Sequence, residues 1–194
     1  MSRIVFLHGL ESTVDAELRP IGRKAQFLRR HYDAAMPGLD TRDAVALRDR
    51  CVAQRVGWLA DPAAAAAAFA TPMRNARAAI TDETEIIVAS SFGGAVLMAL
   101  LHEAPAWRGG CVFLAGAGLK LTSYTTLPDR CPTILIHGRH DDVVDPADSQ
   151  KLARTGAGLS QYWEVDDGHR LPTVMADGTL HAAIGLVEAA LRAQ

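Results

Sequence analysis

Glu85-Ile86-Ile87-Val88-Ala89-Ser90-Ser91-Phe92-Gly93-Gly94 is the stretch whose reading decides the fold. Its apolar, β-branched first half reads as a buried strand, and the apolar run from Phe92 to His102 reads as a helix. The chain therefore passes from strand to helix across a turn at Ser91. So sharp a turn holds its central residue in a strained backbone conformation, and small neighbours are needed to let strand and helix approach. Gly93 and Gly94 supply that room on one side. On the other, Ala89 stands where strand–turn–helix serine motifs carry glycine, a departure of one methyl group. A plain helix start capped by Ser90 or Ser91 would give the same local pattern.

Five other segments have the character of buried strands: Ile4–His8, Tyr32–Met36, Cys111–Ala117, Thr133–His137 and Tyr162–Asp166. Continuous apolar runs suit strands covered on both faces, as in a parallel sheet. Helical stretches lie between them, at about Pro20–Arg30, Arg42–Leu59, Pro62–Ile80, Phe92–His102, Pro146–Thr155 and Thr179–Ala193. Asp61-Pro62, Thr71-Pro72 and Asp145-Pro146 each place a capping residue before a proline suited to a first helical turn. The alternation predicts an α/β fold, a doubly wound, mostly parallel sheet of about six strands with helices on both faces. No linker or repeat divides residues 1–194, so one domain is expected. Residues 37–84 exceed what one crossover helix needs and are expected to form a partial helical cover. The short loop at 118–130 leaves no room for a large cap.

The 194 residues are 49% hydrophobic with a formal net charge of −2, the balance of an ordinary globular chain. No basic face marks a nucleic-acid or anionic-membrane binder, and the group Arg23, Lys24, Arg29 and Arg30 reads as a solvated helix face. Cys51, Cys111 and Cys131 are odd in number and lack metal-ligand spacing, which points to a reducing compartment. Met1-Ser2-Arg3 runs into only four apolar residues, far short of a signal or membrane segment. A cytoplasmic location is expected, with no nucleic-acid or membrane partner; the oligomeric state is left open.

Three more motifs sit at predicted strand ends: His8-Gly9-Leu10-Glu11-Ser12, His137-Gly138-Arg139-His140-Asp141-Asp142 and Asp166-Asp167-Gly168-His169. Singly, each is compatible with an ordinary turn or a surface histidine. Together they give serine, acid and histidine in the order Ser91, Asp141, His169, at the sheet edge where open α/β folds bind ligands. An acyl-transfer site also needs preorganised oxyanion donors, for which the Leu10 and Phe92 backbone N–H groups are candidates. His137 and His140 beside Asp141 and Asp142 admit a metal cluster, but no His-x-His pair or Glu-flanked helix motif supports one, and no metal is expected. The adjacent carboxylates leave the acid's identity between Asp141 and Asp142. Ser90 is expected to point away from substrate.

These motifs together resemble the α/β-hydrolase superfamily, in particular its small single-domain bacterial esterase-like members. The resemblance covers Ile4 to the last helix. It implies a strand order of 2-1-3-4-5-6 and favours Asp141 as the acid, four residues beyond His137; Pro146 comes one place later than in the common pattern. It further implies hydrolysis of a small carboxylic ester or thioester through an acyl-enzyme. Ser91 would be the nucleophile, His169 the base and Asp141 its orienting carboxylate. No cofactor is required. Acyltransferase chemistry with the same residues, or a non-catalytic hydrolase-like binding protein, are the alternatives.

Overall fold

A computed structural model describes residues 3–104, 106–156 and 159–194. Met1 and Ser2, at the head of the N-terminal run, lie outside the described residues. Among these residues five parallel strands form one sheet: β1 (Ile4–Leu7), β2 (Ile86–Ser90), β3 (Gly110–Leu114), β4 (Thr133–Gly138) and β5 (Ser160–Val165). They lie in sequence order across the sheet.

The sixth predicted strand, Tyr32–Met36, is reduced to a single parallel bridge outside β1. Ala35 N–H donates to the Ile4 carbonyl at 2.8 Å, and Phe6 N–H donates to the Ala35 carbonyl at 2.9 Å. Asp33 before it is left-handed, at φ 48°, and Pro37 after it has no N–H to continue the ladder. The bridge nonetheless occupies the outer position foreseen for strand two. Winding reverses between β1 and β2, so the crevice at their carboxyl ends is a topological switch point.

Among the described residues seven helices flank the strands: α1 (Arg23–Tyr32), α2 (Arg42–Gln54), α3 (Pro62–Ala79), α4 (Phe92–Glu103), α5 (Gly118–Leu121), α6 (Pro146–Ala153) and α7 (Thr179–Arg192). The two-residue period of the strands divides the core. Ile4, Phe6, Ile86, Val88, Val112 and Leu114 face α1 and α7, with Leu28, Leu180 and Ile184 packed upon them. Val5, Leu7, Ile87, Ala89, Phe113 and Leu135 face the other side, against Leu47, Met73, Phe92, Val96 and Leu152. Each such large side chain, fully buried, contributes about 1.5–3 kcal/mol.

The caps behave as read at two of three prolines. Asp61 accepts from Ala64 N–H at 2.9 Å, and Asp145 from Ala147 N–H at 2.9 Å. Thr71-Pro72 starts nothing. Pro72 lies buried inside α3, which runs through it. A missing N–H costs one intrahelical bond there, and Ala68, Met73 and Ala76, buried beside it, hold the helix to the core. No described helix is long and apolar enough to cross a membrane.

Candidate active site

Ser91 sits at the end of β2 with φ 52° and ψ −117°, a backbone state rarely populated by residues other than glycine. Its neighbours impose it. Ser91 N–H donates to the Leu114 carbonyl at 3.0 Å, and its own carbonyl accepts from Gly94 N–H at 2.9 Å and Ala117 N–H at 3.0 Å. A β-carbon on Gly93 would collide with the Leu7 carbonyl, and one on Gly94 would lie 2.8 Å from Gly116 Cα. Both glycines thus let α4 close onto the ends of β1 and β3. Ser91 holds the N-cap position of α4, yet its side chain caps nothing. Its Oγ instead lies 2.9 Å from His169 Nε2.

His169 Nδ1 lies 2.8 Å from Asp141 Oδ2. These loops meet because β4 ends in Gly138, where any side chain would strike the Asp167 carbonyl. His140 N–H donates to that carbonyl at 3.0 Å, tying the acid loop to the histidine loop. Asp167, itself buried, accepts from Thr173 N–H and hydroxyl at 3.0 and 2.6 Å and so fixes the far side of the loop.

Asp141, not its neighbour, is the residue brought to the histidine; Asp142 is exposed. Asp141 Oδ1 accepts from Val143 and Val144 N–H at 2.8 and 2.9 Å, while Oδ2 also receives His137 Nε2–H at 2.9 Å. Burial works against ionisation of this carboxyl. The Val144 N–H, His169 and the Val143 N–H outweigh it, so Asp141 ionises below the usual carboxylate range.

His137 is wholly buried, and its Nε2 faces two acceptors, Asp141 Oδ2 and the Val144 carbonyl at 3.0 Å. Nε2 therefore carries the proton, and Nδ1 accepts from the Ser149 hydroxyl at 2.7 Å. Burial pushes the His137 pKa down, partly countered by Asp141. His140 turns outward to Asp166, at 2.9 Å. Among the described residues no three His, Cys, Asp or Glu side chains gather in a metal-holding group.

The loop after β1 closes over the turn at Ser91. A β-carbon on Gly9 would lie 3.2 Å from Ser91 Cβ, so the backbone leading to Leu10 runs against the serine. Buried His8 holds this loop. Its Nδ1–H donates to the Gly9 carbonyl at 2.8 Å, and its Nε2 accepts Leu39 N–H at 3.2 Å. Burial lowers the His8 pKa and keeps the ring neutral. Among the described residues the Leu10 and Phe92 N–H groups have no hydrogen-bond acceptor.

A cavity of about 1310 Å³ opens beside Ser91, lined by the β1 loop, the start of α1, one face of α2 and the segment after His169. Of the expected cover over 37–84, α2 contributes a wall through Arg48, Asp49, Val52 and Ala53, while α3 packs onto α4. His169 keeps 20% of its side chain exposed, so the serine is reached from solvent. Lys24 departs from the solvated face read in the sequence: its ammonium turns inward and donates to Ser90 Oγ at 3.1 Å. Ser90 accordingly lines the same cavity rather than pointing away from it. The sequence reading missed Lys24, His8 and His137. The signal for Lys24 was its place in the first turn of a helix, where a cation opposes the dipole.

The serine hydrolase (FSH1) family model matches residues 63–177, more than half of the chain. No curated protein matches the sequence. Among solved structures, a protein assigned to the alpha/beta superfamily of hydrolases from Xanthomonas campestris pv. campestris aligns at 21% identity. Its TM-score is 0.63, over 97% of this chain and 99% of that one. A serine hydrolase involved in carbazole degradation, the CarC enzyme, aligns at 14% identity over 94% and 90% of the two chains, with a TM-score of 0.54. Alpha/beta hydrolase domain-containing protein 10 from mouse gives 15%, 96% and 89%, and 0.53. At these identities the likeness is one of fold.

Proposed function

Because this chain belongs to the serine hydrolase (FSH1) family, and is therefore a hydrolase, we propose that it cleaves small carboxylic esters or thioesters through an acyl-enzyme on Ser91. The observation that carries this reading is the unbroken chain from Ser91 Oγ to His169 at 2.9 Å and on to Asp141 at 2.8 Å. His169 takes the serine proton as Oγ attacks the carbonyl carbon. Asp141 holds the imidazole with its proton on Nδ1 and stabilises the imidazolium. The Leu10 and Phe92 amides, unspent by the fold, receive the oxyanion. His169 then gives the proton to the leaving alkoxide or thiolate. In the second half it deprotonates the water that attacks the acyl-enzyme, and it returns that proton to Ser91 Oγ as the acid is released.

The strained backbone at Ser91 fits this role: it presents Oγ above the sheet, where neither strand nor helix geometry would put it. A fluorophosphonate tests the reading directly. Stoichiometric labelling that maps to Ser91 and abolishes ester hydrolysis is the expected result. Labelling elsewhere, or full activity after labelling, refutes it.

A further inference from the structure

Lys24 is a charged group in the wall of the cavity. It is the second residue of α1, and among the described residues no carboxylate comes within ion-pair distance of its ammonium. Among the described residues its hydrogen bond goes to the Ser90 hydroxyl, one residue before the nucleophile. The two carboxylates that line the cavity, Glu11 and Asp49, are both engaged by Arg48. Arg23, Lys24 and Arg170 line it too and are left without carboxylate partners among the described residues.

The start of α1 reinforces this positive end. Its N-cap is Gly22, with no side-chain cap and no acidic residue in the first turn. Backbone N–H groups at such an end attract an anion, and cations placed there oppose the helix dipole. A fold that spends stability on two cations at the wrong helix end, next to a reactive serine, has a use for them. Burial lowers the Lys24 pKa to about 8, against the pull of Asp141 and Asp167 and with the push of Arg170.

We propose that this end of the cavity is a carboxylate subsite, and that the preferred substrate is an ester bearing a second, ionised carboxyl group. Lys24 and the Ser90 hydroxyl, whose proton is free to donate because its oxygen accepts from Lys24, bind that carboxylate. The ester carbonyl meanwhile lies over Ser91. Exposed Val52 and Val143 at the rim of the same cavity offer apolar contact to the spacer between the two groups. The subsite rests on the serine-ester reading above for its substrate, but not for its affinity toward anions.

The test compares kcat/KM for charged and neutral esters. Mono-4-nitrophenyl glutarate against 4-nitrophenyl butyrate carries the charge in the acyl half; 4-acetoxybenzoate against its methyl ester carries it in the alcohol half. The wild-type protein is expected to favour one charged ester of these pairs, and which pair shows it identifies the half that enters the subsite. Lys24→Met is expected to lower that charged-to-neutral ratio by about tenfold or more, with KM taking most of the change, as loss of a charge-assisted hydrogen bond would. The ratio cancels any difference in folded fraction. In the wild type it falls as pH rises through about 8, because kcat/KM reports the free enzyme, whose ammonium then loses its proton. A ratio unmoved by Lys24→Met and flat across that pH range overturns the subsite and leaves the serine mechanism standing. If no ester is turned over, the serine-ester reading fails and calorimetric titration with glutarate judges the subsite alone. Binding weakened about tenfold or more by Lys24→Met upholds it, and binding absent or unchanged overturns it.

Discussion

Replacing Asp141 by asparagine changes one atom and reverses two hydrogen bonds. Its carboxylate is wholly withdrawn from solvent and accepts from four donors: the Val143 and Val144 amides on Oδ1, and His137 and His169 on Oδ2. An amide that keeps its oxygen on the two backbone donors must aim its NH2 at two imidazole N–H groups. His169 escapes only by moving its proton to Nε2, the atom that has to accept from Ser91. In a serine protease triad the same change of tautomer costs about ten-thousandfold in turnover. That corresponds to about 5.5 kcal/mol at about 1.4 kcal/mol per tenfold. His137 loses its carboxylate partner as well but keeps the Val144 carbonyl at 3.0 Å, so the stability loss is expected to stay below the cost of a fully unsatisfied buried donor, about 1–3 kcal/mol. Asp142→Asn, at an exposed position, is expected to cost less than about tenfold. Steady-state turnover of one activated ester by both variants, with thermal unfolding of each, checks these numbers. Asp141→Asn retaining more than about a tenth of wild-type turnover, or falling less than Asp142→Asn, refutes the reasoning.

Ser91→Ala is expected to remove ester hydrolysis, by on the order of a millionfold, while circular dichroism and melting stay close to wild type; residual turnover above about a tenth would exclude Ser91 as the nucleophile. Gly93→Ala puts a methyl group into the Leu7 carbonyl and should lower the melting temperature sharply or prevent soluble expression, whereas Gly185→Ala, with open space around it, should not. His8 and His137 are buried with lowered pKa values, so the unfolded chain binds their protons first as pH falls. Stability should therefore decline below about pH 6.5, by at most about 1.4 kcal/mol per pH unit for each histidine, until the folded-state values are passed. A melting temperature that stays level from pH 7 to pH 5 would contradict the assignment of both rings as neutral.

What the sequence made legible was whatever is local or periodic. The strand at Ile86–Ser90, the helix that follows it, and two of the three Asp/Thr-Pro starts depend on neighbours in the chain, and patterning reports on neighbours. The order Ser91, Asp141, His169 was legible because each residue sits just past a strand, and parallel strands deliver their ends to one edge. Thr71-Pro72 misled because the local signal of a helix start is also what a proline inside a well-packed helix looks like. Tyr32–Met36 was over-read for a similar reason: whether an extended segment becomes a strand or a single bridge depends on hydrogen-bond partners that composition does not encode. Lys24 was hidden by its company, since Arg23, Arg29 and Arg30 on the same helix do face solvent. Only the packing of α1 against β1 turns one of the four inward.

Asp141 also explains why the strand-ending histidine is more than a sequence marker. A carboxylate that meets only one imidazole can rotate about its Cβ–Cγ bond and exchange its oxygens. Here Oδ1 is pinned by two amides and Oδ2 is shared by His137 and His169, so rotation would break four hydrogen bonds at once. His137 can play that part only if it stays neutral and keeps its proton on Nε2. Burial secures the first condition, and the Ser149 hydroxyl with the Val144 carbonyl secures the second. Were His137 protonated, its charge would draw Oδ2 toward itself and weaken the hold on His169. The low proton affinity of one histidine thus keeps the carboxylate's negative charge directed at the other, where the proposed mechanism would place an imidazolium.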